Sequence, residues 1–104
     1  MRAVSGPDEV IHQSTRLRIM SALNALPRRE MLEFKRLRVI TGATDGNLGA
    51  HLATLEKAGF VRIVKEFVGR KPRTRVGITA PGRRAFQSHV TYLREILDGG
   101  IGGA

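Results

Sequence analysis

Two groups of side chains in this 104-residue sequence are of types that recognise rather than react. Asn47 and His51 stand four positions apart, the spacing that places two side chains on one face of a helix. An Asn amide carries a donor and an acceptor that match N6 and N7 of adenine in the DNA major groove. His51 can donate to a base acceptor or to a phosphate. Thr44, Ala50 and Thr54 extend this small, polar surface, which holds no acid beyond Asp45 in its first turn. Arg70, Lys71 and Arg73 form the second group, gathered around Pro72 in the run Gly69-Arg70-Lys71-Pro72-Arg73. Cations crowded into one turn attract phosphate, and the proline limits what must be ordered on binding. The blander alternatives are a cap residue beside a surface histidine, and a solvated basic turn.

No arrangement for catalysis accompanies them. There is no G-x-x-x-x-G-K-[ST] phosphate loop, and no G-x-G-x-x-G follows a strand. His12, His51 and His89 make no H-x-x-x-H or H-E-x-x-H pair, so neither a metal site nor a cofactor is expected. A metal shared by His12 and His89 across two subunits is the one conceivable exception, and His89 fits better as a partly buried helix residue. No catalytic residue is assigned, and an enzyme is not expected. The chain has no cysteine, which excludes disulfides and thiolate chemistry.

Charge points the same way. Lys and Arg total 18 against 9 acids, a net charge of +9, which favours a polyanionic partner: DNA, RNA or an anionic surface. The excess is local. From Phe60 to Arg84 the basic residues are Arg62, Lys65, Arg70, Lys71, Arg73, Arg75, Arg83 and Arg84, and Glu66 is the only acid. Hydrophobic residues make up 41%, enough for one modest core. The N-terminal MRAVSGPDEV lacks the apolar stretch of a signal peptide, and no apolar run approaches the ~20 residues that span a bilayer. A cytoplasmic protein with no membrane partner is the default expectation.

The elements that must position these groups can be read from periodicity. Leu37 and Ile40 share a face of a short helix that Gly42 ends. Thr44 or Asp45 caps the next helix, where Leu48, Leu52 and Leu55 form a buried stripe and Asn47, Ala50, His51 and Thr54 face away. Two helices joined by a Gly-containing turn form a helix-turn-helix unit, whose second helix would enter a major groove. Phe60–Val68 and Thr74–Thr79 are β-rich, with Val61, Ile63 and Val68 placed on one side. Upstream, a helix from about Asp8 to about Leu26 carries Ile19, Leu23 and Leu26. Downstream, Thr79 caps a long helix to about Asp98. Residues 1–7 read as a loose arm, 8–98 as the domain and 99–104 as a disordered tail.

A helix-turn-helix followed by a hairpin with a basic tip resembles the winged helix-turn-helix transcriptional regulators. HLATLEKAGFV and ITAPGRRAF are similar to the corresponding stretches of the MarR/ArsR-like superfamily, in its short single-domain type. The likeness runs from about residue 14 to about residue 90. It implies a mainly helical α+β fold, with a three-stranded antiparallel wing sheet and a long C-terminal helix. The strand Leu32-Glu33-Phe34 would complete the sheet. One departure is Gly49, which stands where many relatives carry a groove-facing Ser.

The expectation is a sequence-specific regulator that binds double-stranded DNA, with Thr44, Asn47, Ala50, His51, Thr54, Arg70, Lys71 and Arg73 as contacts. The alternative is a winged-helix module for RNA or a protein partner. A homodimer is expected because the terminal helices carry more apolar arc than one small core needs. Val10, Ile11, Leu17, Phe86, Val90, Leu93 and Leu97 would line it, beside Tyr92 and Ile96.

Overall fold

A computed structural model describes residues 7–99. The expected arm over 1–7 and tail over 99–104 fall almost wholly outside the described residues. The elements run α1 (Ser14–Asn24), β1 (Leu32–Glu33), α2 (Phe34–Thr41), α3 (Asp45–Lys57), β2 (Val61–Val68), β3 (Lys71–Ile78) and α4 (Ala80–Leu97). The fold is the mainly helical α+β winged helix that the sequence implied. Its antiparallel sheet has the order β1-β3-β2, with Leu32 opposite Val76 and Val61 opposite Ile78.

Apolar periodicity places the core. Ile11, Ile19, Met20, Leu23, Leu37, Leu48, Leu52, Leu55, Val61, Val76 and Phe86 are all buried in one cluster. The i, i+4, i+7 stripe of α3 faces inward, with Leu48, Leu52 and Leu55 at most 2% exposed. Two residues placed inside by the sequence lie outside. Ile40 is 38% exposed at a surface groove beside Leu17 and Ala22 of α1, while Leu37 is the fully buried residue of α2. Val68 is 53% exposed, because strand side chains alternate and an even-numbered residue of β2 cannot share the face of Val61 and Ile63.

The first helix starts later than its sequence suggested. The Asp8 carboxylate accepts from the N–H groups of Val10 and Ile11, at 2.9 and 3.0 Å, and closes a separate turn. Gln13 then has extended backbone, and its side-chain oxygen caps α1 by accepting from Arg16 N–H. Asp8 N–H donates to Nδ1 of His89 on α4, at 3.1 Å, which fastens this turn to the last helix. His89 is 2% exposed. The backbone N–H can only donate, so Nδ1 is the acceptor, and burial lowers the imidazole pKa in the same sense.

The wing also differs in detail. Phe34 opens α2 rather than ending β1. The hairpin loop is only Gly69-Arg70, with Val68 paired to Lys71. Gly69 takes φ 65, and a positive φ at the first central position is what a type II′ hairpin requires. Lys71 and Arg73 therefore lie on β3 rather than on a loop. Pro72 is opposite Phe67, one step from the closing pair, so its missing N–H removes no bond to β2.

The root of the wing holds the closest approach at any described glycine. At Gly82 in the first turn of α4, an added Cβ would lie 2.1 Å from Phe60 O and 2.9 Å from Phe60 C, both backbone atoms. Gly49, midway along α3, has nothing within 4 Å of the same position. Gly82→Ala should therefore cost at least about 1–3 kcal/mol of stability through overpacking. Gly49→Ala should stabilise by up to about 1 kcal/mol through helix propensity. Urea midpoints of the two variants measure this, and a Gly82→Ala midpoint equal to that of the parent would contradict the close approach.

Candidate nucleic-acid interface

The turn between α2 and α3 is built from local chemistry. Gly42 ends α2 in the left-handed region, at φ 70, and its N–H donates to Arg38 O at 2.8 Å. Thr41 Oγ1 donates to Leu37 O and accepts from Ala43 N–H. Thr44 is the cap of α3, accepting from Asn47 N–H at 3.1 Å. Asp45, the other candidate cap, pairs instead with Arg38 across the turn at 3.1 Å. Both partners are exposed, so the pair adds little stability, but it offsets the one negative charge at this end of α3.

With the leucine stripe inward, Gly46, Asn47, Ala50 and Thr54 face solvent. The Asn47 side chain makes no hydrogen bond within the described residues, so both halves of its amide are unengaged. The Thr54 hydroxyl donates to Ala50 O in its own helix. His51 is only half exposed, because Arg16 of α1 reaches it, with Nη1 3.0 Å from Nδ1. That contact had no sequence signal, since 35 residues separate the partners.

On the wing, the register divides the basic residues into two groups. Arg70 at the tip and Lys71 beside it are exposed and make no ion pair among the described residues. Arg73 lies directly opposite Glu66 on the face turned away from the core. Its Nε donates to Glu66 Oε2 at 2.8 Å, and its Nη2 is 2.6 Å from the same oxygen. Arg75, two residues along the same face, places Nε 2.8 Å from Oε2. The Arg73 hydrogen bond, aided by Arg75, holds the Glu66 carboxyl below its ordinary range. Phe67 is 73% exposed beside the tip, an apolar side chain that period-two reading did not single out. A cleft of about 440 Å³ runs between the start of α2 and the wing, lined by Phe34, Lys35, Val68, Lys71 and Arg73.

At the other end of the molecule, the residues expected at a dimer seam separate by burial. Ile11 and Phe86 are 0% and 9% exposed within the chain's own core, so neither offers surface to a partner. The N-terminal turn folds Ile11 inward, and α4 lays Phe86 on the same cluster. Val10, Leu17, Val90 and Leu93 are half-buried, while Leu97 and Ile96 are 82% and 48% exposed. Among the described residues no three His, Asp or Glu side chains cluster as a metal ion would need. No described helix is long and apolar enough to cross a membrane.

Comparison with known proteins agrees with this geometry. Residues 15–97 match the family described as winged helix DNA-binding domain. An uncharacterised protein of Methanocaldococcus jannaschii is 36% identical over 89 residues, spanning 86% of this chain and 90% of that one. Among solved structures, a transcriptional regulator homologue from Pyrococcus horikoshii superposes with a TM-score of 0.78 at 30% identity, covering 88% of each chain. A candidate transcriptional regulator from Salmonella typhimurium shares the fold at a TM-score of 0.69 and 22% identity, over 88% of this chain and 78% of its own. A candidate regulator of the MarR family from Porphyromonas gingivalis does so at 0.59 and 18%, over 99% of this chain and 100% of its own.

The Glu66 clamp gives a direct test of what the wing charges do. Glu66→Gln removes the only acid of the β2–β3 hairpin and frees Arg73 and Arg75. Affinity for duplex DNA should rise, and the slope of log affinity against log salt should steepen by about 0.9 for each arginine that gains a phosphate. An unchanged slope in a fluorescence-anisotropy salt series would show that neither arginine reaches the backbone.

Proposed function

The chain belongs to the winged helix DNA-binding domain family, and from that premise we propose that it is a transcriptional regulator that binds double-stranded DNA as a homodimer. In this reading α3 lies in the major groove, with Thr44, Asn47, Ala50, His51 and Thr54 toward the bases or the adjoining backbone. Arg70 and Lys71 meet flanking phosphate or the minor groove, and Arg73 joins them when Glu66 lets go. The observation that carries the reading is the exposed, hydrogen-bonding face of α3, free of acids past Asp45 and flanked by an unpaired basic wing tip. Phosphate contact supplies affinity without sequence information, while groove contact supplies the discrimination.

Two-fold pairing would use the exposed ends of the terminal helices. Leu97 and Ile96 form an exposed apolar end on α4, one turn beyond half-buried Leu93, and Val10 and Leu17 are half-buried near the start of the domain. Pairing them against a second copy would set two reading helices roughly 34 Å apart, one turn of DNA, so an inverted-repeat site is expected.

Two measurements test these assignments. Arg70→Ala and Lys71→Ala should each reduce the salt slope by about 0.9 on any duplex. Asn47→Ala should instead lose ~1–3 kcal/mol of discrimination between a selected site and random DNA. Equal weakening on both duplexes would assign Asn47 to the backbone, and binding of structured RNA as tight as that of the selected duplex would favour an RNA-binding module. For the assembly, sedimentation at micromolar concentration should give a dimer for the parent and a monomer for Leu97→Glu. A parent that sediments as a monomer would rule the pairing out.

A further inference from the structure

Arg16 of α1 makes two contacts with one guanidinium. Its Nε donates to Val10 O in the N-terminal turn, and its Nη1 is 3.0 Å from His51 Nδ1 on α3. A guanidinium has donors only and stays charged at every relevant pH. The contact therefore requires Nδ1 of His51 to be the acceptor, and a neutral imidazole then carries its proton on Nε2. Burial, with the Arg16 charge second, lowers the His51 pKa, in the direction this bond demands. Nε2 has no hydrogen-bond partner among the described residues and is not buried. The guanidinium is not free to wander, because the Val10 carbonyl holds its other edge. That carbonyl belongs to the turn whose Asp8 N–H is fastened to His89.

We propose that Arg16 is a positioning residue that fixes His51 as a neutral Nε2–H donor on the reading helix. This rests on the assignment of α3 to the major groove. A donor at that point favours a base that presents an acceptor there: guanine through N7 or O6, adenine through N7, or thymine through O4. It rejects cytosine, whose groove edge offers the N4 amino donor. The opposite tautomer would present an unprotonated Nε2 and accept from that amino group. The choice of base is thus set by a residue on α1, one layer behind the reading face.

The experiment has two arms. Long-range ¹⁵N–¹H spectra of the free 104-residue chain report the tautomer and pKa of His51 without DNA. The parent should show protonated Nε2 and a pKa below 6.5. Arg16→Met should raise the pKa and mix the tautomers, and Arg16→Lys, which restores a cationic donor, should bring both back toward the parent. A protonated Nδ1 in the parent, or a His51 that Arg16→Met leaves unchanged, overturns the proposal. In the second arm, duplexes are selected from a random pool. Arg16→Met should lose about twofold in preference for an acceptor base at one position per half-site, the cost of drawing the Nε2–H form from an even mixture of tautomers, less than His51→Ala loses, and should lose nothing more in the His51→Ala background. A further loss there would mean that Arg16 touches DNA itself and would overturn the positioning role. If the parent selects no duplex while the His51 tautomer is held, the assignment of α3 to the groove fails, and with it the base preference, but not the Arg16 bond.

Discussion

Thr79 ties three elements at one point, and the relation of the wing to α3 depends on it. Its hydroxyl donates to Gly59 O at the end of α3, at 2.6 Å, and accepts from Gly82 N–H in the first turn of α4, at 3.0 Å. Its backbone N–H donates to Phe60 O at the root of β2. Gly82 then packs directly on that same Phe60 peptide, where no side chain would fit. A small, hydrogen-bonded junction of this kind has one arrangement. It fixes the angle at which the hairpin leaves α3, and so where a basic tip stands relative to Asn47.

The electrostatics of the wing follow from register. Because Glu66 faces Arg73 directly and Arg75 lies two residues along the same face, one carboxylate holds two arginines flat against the sheet. The residues left to act at a distance are those at the turn. A net charge of +9 therefore overstates the charge that the wing offers, and the distribution set by the ladder matters more than the sum.

Much of this was legible in the sequence, for a physical reason. The stripe Leu48, Leu52, Leu55, the left-handed stop at Gly42, the cap at Thr79 and a cap of α3 at either Thr44 or Asp45 are local, encoded within a turn or two of chain. The failures are of two kinds. The start of α1 was missed because Asp8 satisfies its own turn and Gln13 supplies a cap that composition does not single out. Ile11, Phe86, Arg16 with His51, and Glu66 with its arginines required tertiary placement. Apolar arc on a terminal helix looks the same whether the chain or a second copy covers it, and only the fold shows that Ile11 and Phe86 are already used. The exposed Leu97 and Ile96 are what remains of the surplus.

The bond from Asp8 to His89 joins residues 81 positions apart, nearly the whole length of the domain. Closing so long a loop has an entropic cost that no local contact offsets. Contacts of high sequence separation form slowly, after the hairpin and the helix pairs have condensed. During synthesis the turn at Asp8 emerges 81 residues before its partner on α4. Of the two partners, the one made earlier must wait for the one made later, and a turn held across such a separation is a natural place for local opening to begin.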